Sequence, residues 1–134
     1  DGVTPLHSAE ELYATCHVVS LHIPATAETK GSINYALLAH MPKGGLLVNT
    51  ARKEVINEDE LIQFMQERQD FRYVTDIMPA ADQKMNELFE GRYFSTPKKM
   101  GAQTAEANIN AGIAAAKQIV DFVENGVRRF QVNK

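Results

Sequence analysis

An arginine, an aspartate, a histidine and a pair of lysines stand where this sequence leaves its apolar runs, and these are the side chains whose types and spacing could do chemistry. Arg52 follows Leu46-Leu47-Val48-Asn49-Thr50-Ala51, a segment opened by Gly44-Gly45 whose apolar start reads as a strand buried on both faces. At the carboxyl end of a parallel strand, a guanidinium stands where open α/β sheets bind ligands and offers a forked pair of donors to a carboxylate or phosphate. The competing reading is an ordinary solvated surface arginine. Asp76 ends another apolar run just ahead of Pro79, and His22 ends an earlier one ahead of Pro24. A lone histidine in an apolar strand is more often packed than liganding. Lys98 and Lys99, read from the residues alone, are a pair of exposed loop charges.

The elements that must position these groups alternate. Ser8 and Glu11 form a capping box that starts a short helix through Leu12, Tyr13 and Ala14. Residues 17–23 are β-branched and apolar and stop at Pro24, which predicts the first strand. After a Thr-rich loop, Ile33, Leu37, Leu38 and Met41 recur at helical spacing until Pro42-Lys43-Gly44-Gly45 breaks the helix. Asn57 and Glu60 read as a second capping box for a helix whose apolar face is Leu61, Ile62, Phe64 and Met65 and whose end falls at residues 68–70. Residues 71–77 predict a third strand. A polar stretch then holds a short helix around Leu88 and Phe89, ahead of a short strand at residues 93–95. Residues 102–125 predict a long Ala-rich helix with Ile109, Ile113, Ala116, Val120 and Val123 along one face and Gly126 as its C-cap. Strand, helix, strand repeated in this order implies an α/β fold with a parallel sheet and flanking helices, all strand ends facing one way.

Composition narrows the classes. The 134 residues are 44% hydrophobic and 23% charged, as expected of a soluble globular domain. A net charge of -3, with 14 Lys and Arg in no long run, leaves no electrostatic footprint for nucleic acid or an anionic membrane. Cys16 alone cannot form an internal disulfide, and no apolar run approaches the roughly 18 residues of a membrane span. A cytoplasmic location is expected. Residues 1–5 lack an initiator Met and any targeting pattern, so the chain is expected to start in mid-protein.

Four segments, in order, resemble the signatures of the D-2-hydroxyacid dehydrogenase family: HVVSLHIPATAETKGSIN, LLVNTARKEVINEDEL, YVTDIM and GAQTAEA. The likeness is strongest to members that oxidise D-3-phosphoglycerate. It implies the second half of a Rossmann-like NAD-binding domain over residues 1–126, with residues 127–134 returning toward a substrate domain. It also implies that Arg52 binds the substrate carboxylate and polarises its carbonyl, and that Asp76 hydrogen-bonds the nicotinamide carboxamide. Ile23, Pro24, Thr50, Ala51, Gly101 and Ala102 would join Arg52 in lining the cofactor, NAD. The implied partners are a small 2-hydroxy acid and further copies of the chain, as a dimer or larger homo-oligomer, with no metal.

The sequence departs from the family pattern in three places. The family's catalytic histidine falls on Lys99 counting back from Gly101-Ala102-Gln103-Thr104, or on Lys98 counting forward from Thr96-Pro97; Lys99 is preferred. The glutamate that orients that histidine falls near Ala81, with Asp82 the nearest acid. The two losses are consistent, because a lysine has one titrating nitrogen and no tautomer to select. This resembles the members in which lysine replaces the histidine. No G-x-G-x-x-G occurs, so the phosphate-cradling half of the domain is not in this sequence. The isolated chain is expected to be inactive, to bind NAD weakly or not at all, and to associate through the outer edge of its first strand, Val18 and Val19 included. Two alternatives stay open: a dehydrogenase for lactate, glycerate or hydroxypyruvate, and a non-catalytic α/β interaction module.

Overall fold

Four short strands pair in chain order, all parallel: β1 Val18–Leu21, β2 Leu46–Asn49, β3 Arg72–Thr75 and β4 Tyr93–Ser95. They belong to a computed structural model that describes residues 2–99 and 104–132. The chain divides into two compact units, residues 1–99 and 100–134. In the first unit the helices are α1 Ala9–Thr15, α2 Tyr35–Leu38, α3 Glu58–Glu67 and α4 Asp82–Leu88. The expected fold class, a parallel sheet with flanking helices, is the one observed.

Local chemistry explains where the elements begin. The Ser8 hydroxyl accepts from Glu11 N at 3.0 Å and starts α1, while the Glu11 carboxylate reaches back to His7 N. Asn34 caps α2 by accepting from Leu37 N. That helix is a single turn rather than the longer one expected from Ile33 to Met41, because Ile33 is engaged in a parallel bridge with Ile56 and Pro42 ends the segment. Asn57 accepts from Glu60 N, but the reciprocal arm of a capping box does not form. The Glu60 carboxylate instead takes the Tyr35 N–H at 2.7 Å, and Asn57 N donates to Ile33 O.

Register places Leu47 and Asn49 of β2 between Val19 and Leu21 on one side and Tyr73 and Thr75 on the other, all buried on the face that meets the helices. Phe64 packs edge-on against both Tyr35 and Phe71 in that core, at centroid distances of 5.6 and 5.0 Å. The expectation that residues 46–48 are buried on both faces fails. Leu46 and Val48 are only half-buried, and on the same face Val18 is 58% and Phe94 59% exposed. Helices cover only one face of the sheet within this unit. β1 is an edge strand as expected, though Val19 turns its side chain into the core.

The second unit carries α5, Ala105–Asn125, capped by Thr104 accepting from Ala107 N and ended by Gly126 at φ 63°, a left-handed conformation that favours glycine. It starts three residues later than expected. None of its residues is buried within the described structure.

Two turns before the strands are locked together at the amino end of the sheet. Arg68 donates to Met41 O and Pro42 O and pairs with Asp70 at 2.9 Å, while Asp70 accepts from Gly44 N, whose φ of 76° only glycine adopts readily. The Arg68 guanidinium, then the Gly44 N–H, hold the Asp70 carboxyl well below the usual carboxylate range. A depressed folded-state pKa stabilises the fold above the unfolded value, about 3.9, and that stabilisation is lost as pH falls through the folded value. Asp70→Asn should therefore lower the unfolding free energy measured in urea near neutral pH, by at most about 1 kcal/mol for so exposed a pair. The gap to wild type should close as the pH is taken from about 5 towards 2; a gap that persists at low pH would contradict the assignment.

Candidate active site

Because all four strands are parallel, the segments after them leave along one edge of the sheet: residues 22–25 after β1, 50–52 after β2, 76–81 after β3 and 96–99 after β4. His22, Ile23, Pro24, Ala25, Thr50, Ala51 and Arg52 line an open cleft of about 550 Å³ there. Five expected site residues thus meet in one place. Each turn is held by its own hydrogen bonds. Thr29 Oγ1 donates to Pro24 O and accepts from Thr26 N, which closes residues 24–29 into a turn. The His22 ring lies 2.9 Å from Ser20 Oγ through Nε2, at the rim of the cleft.

Residues 50–52 turn around Asn49. Its Oδ1 accepts from Ala51 N at 3.0 Å, and its Nδ2 donates to Arg52 O at 3.0 Å and towards the Tyr73 hydroxyl at 3.4 Å. Arg52 is exposed and its Nη1 donates to Ala51 O at 2.8 Å. Lys99 Nζ approaches the same carbonyl at 3.5 Å and is half-buried, whereas Lys98 is exposed. The two counts from flanking motifs leave a choice between the lysines, and it is Lys99 that lies on the side of Arg52.

Asp76 follows β3. Its N–H donates to Asn49 O at 3.0 Å and its carboxylate accepts from Thr96 Oγ1 at 2.9 Å. It is not among the residues lining the cleft. Asp82, the acid nearest the family's orienting glutamate, accepts from Tyr93 Oη at 2.6 Å and from Ser95 Oγ. Burial, and then the Asp82 carboxylate, push the Tyr93 phenol pKa up, so it stays a neutral donor. Gly101 and Ala102 lie outside the described residues. Among the described residues no cluster of three or more His, Cys, Asp or Glu is placed to hold a metal ion.

Sequence reasoning missed Asn49, Thr75 and Thr96 as parts of the site. Asn49 and Thr75 are fully buried, the polar side chains in the core apart from tyrosines among the described residues. A polar residue closing an otherwise apolar strand was the available signal.

Comparison with known proteins identifies the family. Residues 1–97 match the family described as D-isomer specific 2-hydroxyacid dehydrogenase, NAD binding domain. The chain belongs to that family. A curated relative, D-3-phosphoglycerate dehydrogenase of Haemophilus influenzae, is 35% identical over 96% of this chain and 32% of its own length. The crystal structure of NAD+-bound 3-phosphoglycerate dehydrogenase of Entamoeba histolytica is 52% identical, with a TM-score of 0.83 over 98% of this chain and 44% of that one. D-mandelate dehydrogenase of Rhodotorula graminis is 27% identical with a TM-score of 0.71, over 87% of this chain and 34% of that one. The chain thus spans about one third of the length of the curated dehydrogenase it matches.

The ties of Asp82 to β4 define a test. Asp82→Asn should cost about 1–3 kcal/mol of stability, the worth of hydrogen bonds to a charged group, read as a fall in the melting temperature. An unchanged melting temperature would mean that these bonds do not fasten α4 to β4.

Proposed function

We propose that these residues form the substrate-facing part of the NAD-binding domain of a D-3-phosphoglycerate dehydrogenase, which oxidises D-3-phosphoglycerate to 3-phosphohydroxypyruvate, the first step of serine biosynthesis. The observation that carries this reading is the convergence of Arg52 and Lys99 on the Ala51 carbonyl beside the cleft. One cation recognises a carboxylate bidentately, and the other can move a proton once its amine is unprotonated.

NAD, when bound, accepts the hydride from C2. The residues present suit its nicotinamide end: Ile23, Pro24 and Ala25 offer an apolar wall with backbone polar groups, and Thr50 and Ala51 complete the cleft; Asp76, outside the lining of the cleft, joins them by resemblance. Gly101 and Ala102 belong to this set by resemblance. Arg52 holds the substrate carboxylate and, through it, fixes C2 and its hydroxyl. The Lys99 amine takes the hydroxyl proton as C2 loses its hydride, leaving a ketone and an ammonium; the reverse reaction returns that proton. Lys98 is the runner-up for this role.

The same reading places residues 1–126 in the NAD-binding domain and 127–134 on the return to the substrate domain. It also makes the enzyme a cytoplasmic homo-oligomer, a dimer or more, with no nucleic-acid or membrane partner. Support for association comes from the unpaired outer edge of β1 with exposed Val18, and from the exposed Ile109, Ile113, Val120 and Val123 of α5.

In the complete enzyme, Arg52→Lys should lower kcat/KM on the order of 10²-fold, since an ammonium cannot reproduce the fork. Near-normal turnover would remove Arg52 from the site. Lys99→Ala should depress kcat by roughly 10² to 10⁴-fold and more than Lys98→Ala. The reverse ranking moves the base to Lys98, and full activity in both variants ends the lysine mechanism. A panel of lactate, glycerate, hydroxypyruvate and 3-phosphoglycerate, each assayed in its reactive direction, decides among substrates.

A further inference from the structure

Three side-chain hydrogen bonds leave one buried residue at the carboxyl end of β2, and they all serve the turn that carries Arg52 or its support. Asn49 is 0% exposed, so its amide has no water to fall back on. Its Oδ1 takes the Ala51 N–H and its Nδ2 gives one proton to Arg52 O and the other towards Tyr73 Oη. This orientation is unique. A flipped amide would set Oδ1 against the Arg52 carbonyl and Nδ2 against the Ala51 N–H, two repulsions in place of two bonds.

The backbone of the same residue reaches the neighbouring strand. Asn49 O accepts from Asp76 N at 3.0 Å and from Thr75 Oγ1 at 3.1 Å. Thr75 Oγ1 also accepts from Ile77 N at 3.1 Å, so the chain on either side of Asp76 is set from Asn49. Tyr73, 1% exposed and stacked on Tyr93, gives the far side of the amide a fixed wall.

We infer that Asn49 is a positioning residue: its side chain, backed by Tyr73, sets the backbone of the Arg52 turn, while its main-chain carbonyl sets the strand end that bears Asp76. Side-chain replacement should therefore disturb the Arg52 turn selectively, since the bonds to Asp76 N and Thr75 come from the main chain and survive it. The catalytic consequence rests on the reading in which Arg52 holds the substrate carboxylate; the structural one does not.

The test has two readouts. In amide hydrogen exchange, Asn49→Ala should speed exchange of the Ala51 N–H by about tenfold or more, because that donor has lost its acceptor, while the Asp76 N–H keeps its protection. In the complete enzyme, Asn49→Ala should cut kcat/KM for the hydroxy acid by about tenfold or more, as expected of a displaced binding group. Tyr73→Phe keeps the ring and serves as the mild variant, expected to move both readouts in the same direction by about two- to threefold. If Asn49→Ala leaves Ala51 exchange unchanged, the inference fails. It fails equally if the melting temperature of Asn49→Ala drops while the Ala51 N–H exchanges no faster relative to the Asp76 N–H than in wild type, and Tyr73→Phe matches wild type, the pattern of a merely structural residue. If exchange responds as stated but the parent enzyme oxidises no hydroxy acid, the positioning stands and the proposed function is what falls.

Discussion

Parallel pairing in chain order is the constraint on which the rest of this structure depends. Four strands that all run one way must all end on one edge, so the chain delivers residues 22–25, 50–52, 76–81 and 96–99 to the same side with no long-range design beyond register. Register does the fine work. Leu21, Asn49 and Thr75 stand side by side in consecutive strands, so the residues after them leave the sheet in line. The opposite edge is closed by the Arg68, Asp70 and Gly44 contacts. Those contacts are exposed and individually weak, yet they hold together the turns from which β2 and β3 start.

Polarity within the core is concentrated at that functional edge. The helix-facing side of the sheet is apolar until its last layer, where Asn49 and Thr75 interrupt it. Buried polar groups cost free energy unless satisfied, and both are satisfied by neighbours that belong to the site: Ala51 N, Arg52 O and Tyr73 Oη for one, Asn49 O and the Ile77 backbone for the other. A purely apolar layer would pack as well, but would leave the Arg52 turn free to choose among conformations. The same logic governs Asp82, whose carboxylate is taken up by Tyr93 and Ser95 and so fastens α4 to β4.

Apolar side chains are not confined to the core. Within the first unit, Val18 and Phe94 remain exposed on the face opposite the helices, and α5 of the second unit carries its own uncovered apolar stripe. Apolar groups on that sheet face and along this 21-residue helix are exposed among the described residues.

How much of this was legible beforehand follows from the range of each interaction. The capping residues Ser8, Asn57 and Gly126, the prolines after the strands and the alternation of apolar runs act within a few residues, and they determined the order of elements, the parallel sheet and the edge on which Arg52 and Asp76 stand. The family signatures added Ile23, Pro24, Thr50 and Ala51, which do meet in one cleft. Tertiary structure alone decided what depends on neighbours distant in sequence. It diverted Glu60 from its capping box to Tyr35, 25 residues away, and cut α2 to one turn by pairing Ile33 with Ile56. It left β2 covered on one face, because coverage depends on which elements pack, not on how apolar a strand reads. It brought Lys99 rather than Lys98 to the Ala51 carbonyl, across 48 residues of chain. And it turned Asn49, in sequence only a polar end to an apolar run, into the residue around which the Arg52 turn is built, since its partner Tyr73 lies on the next strand and is brought near only by register.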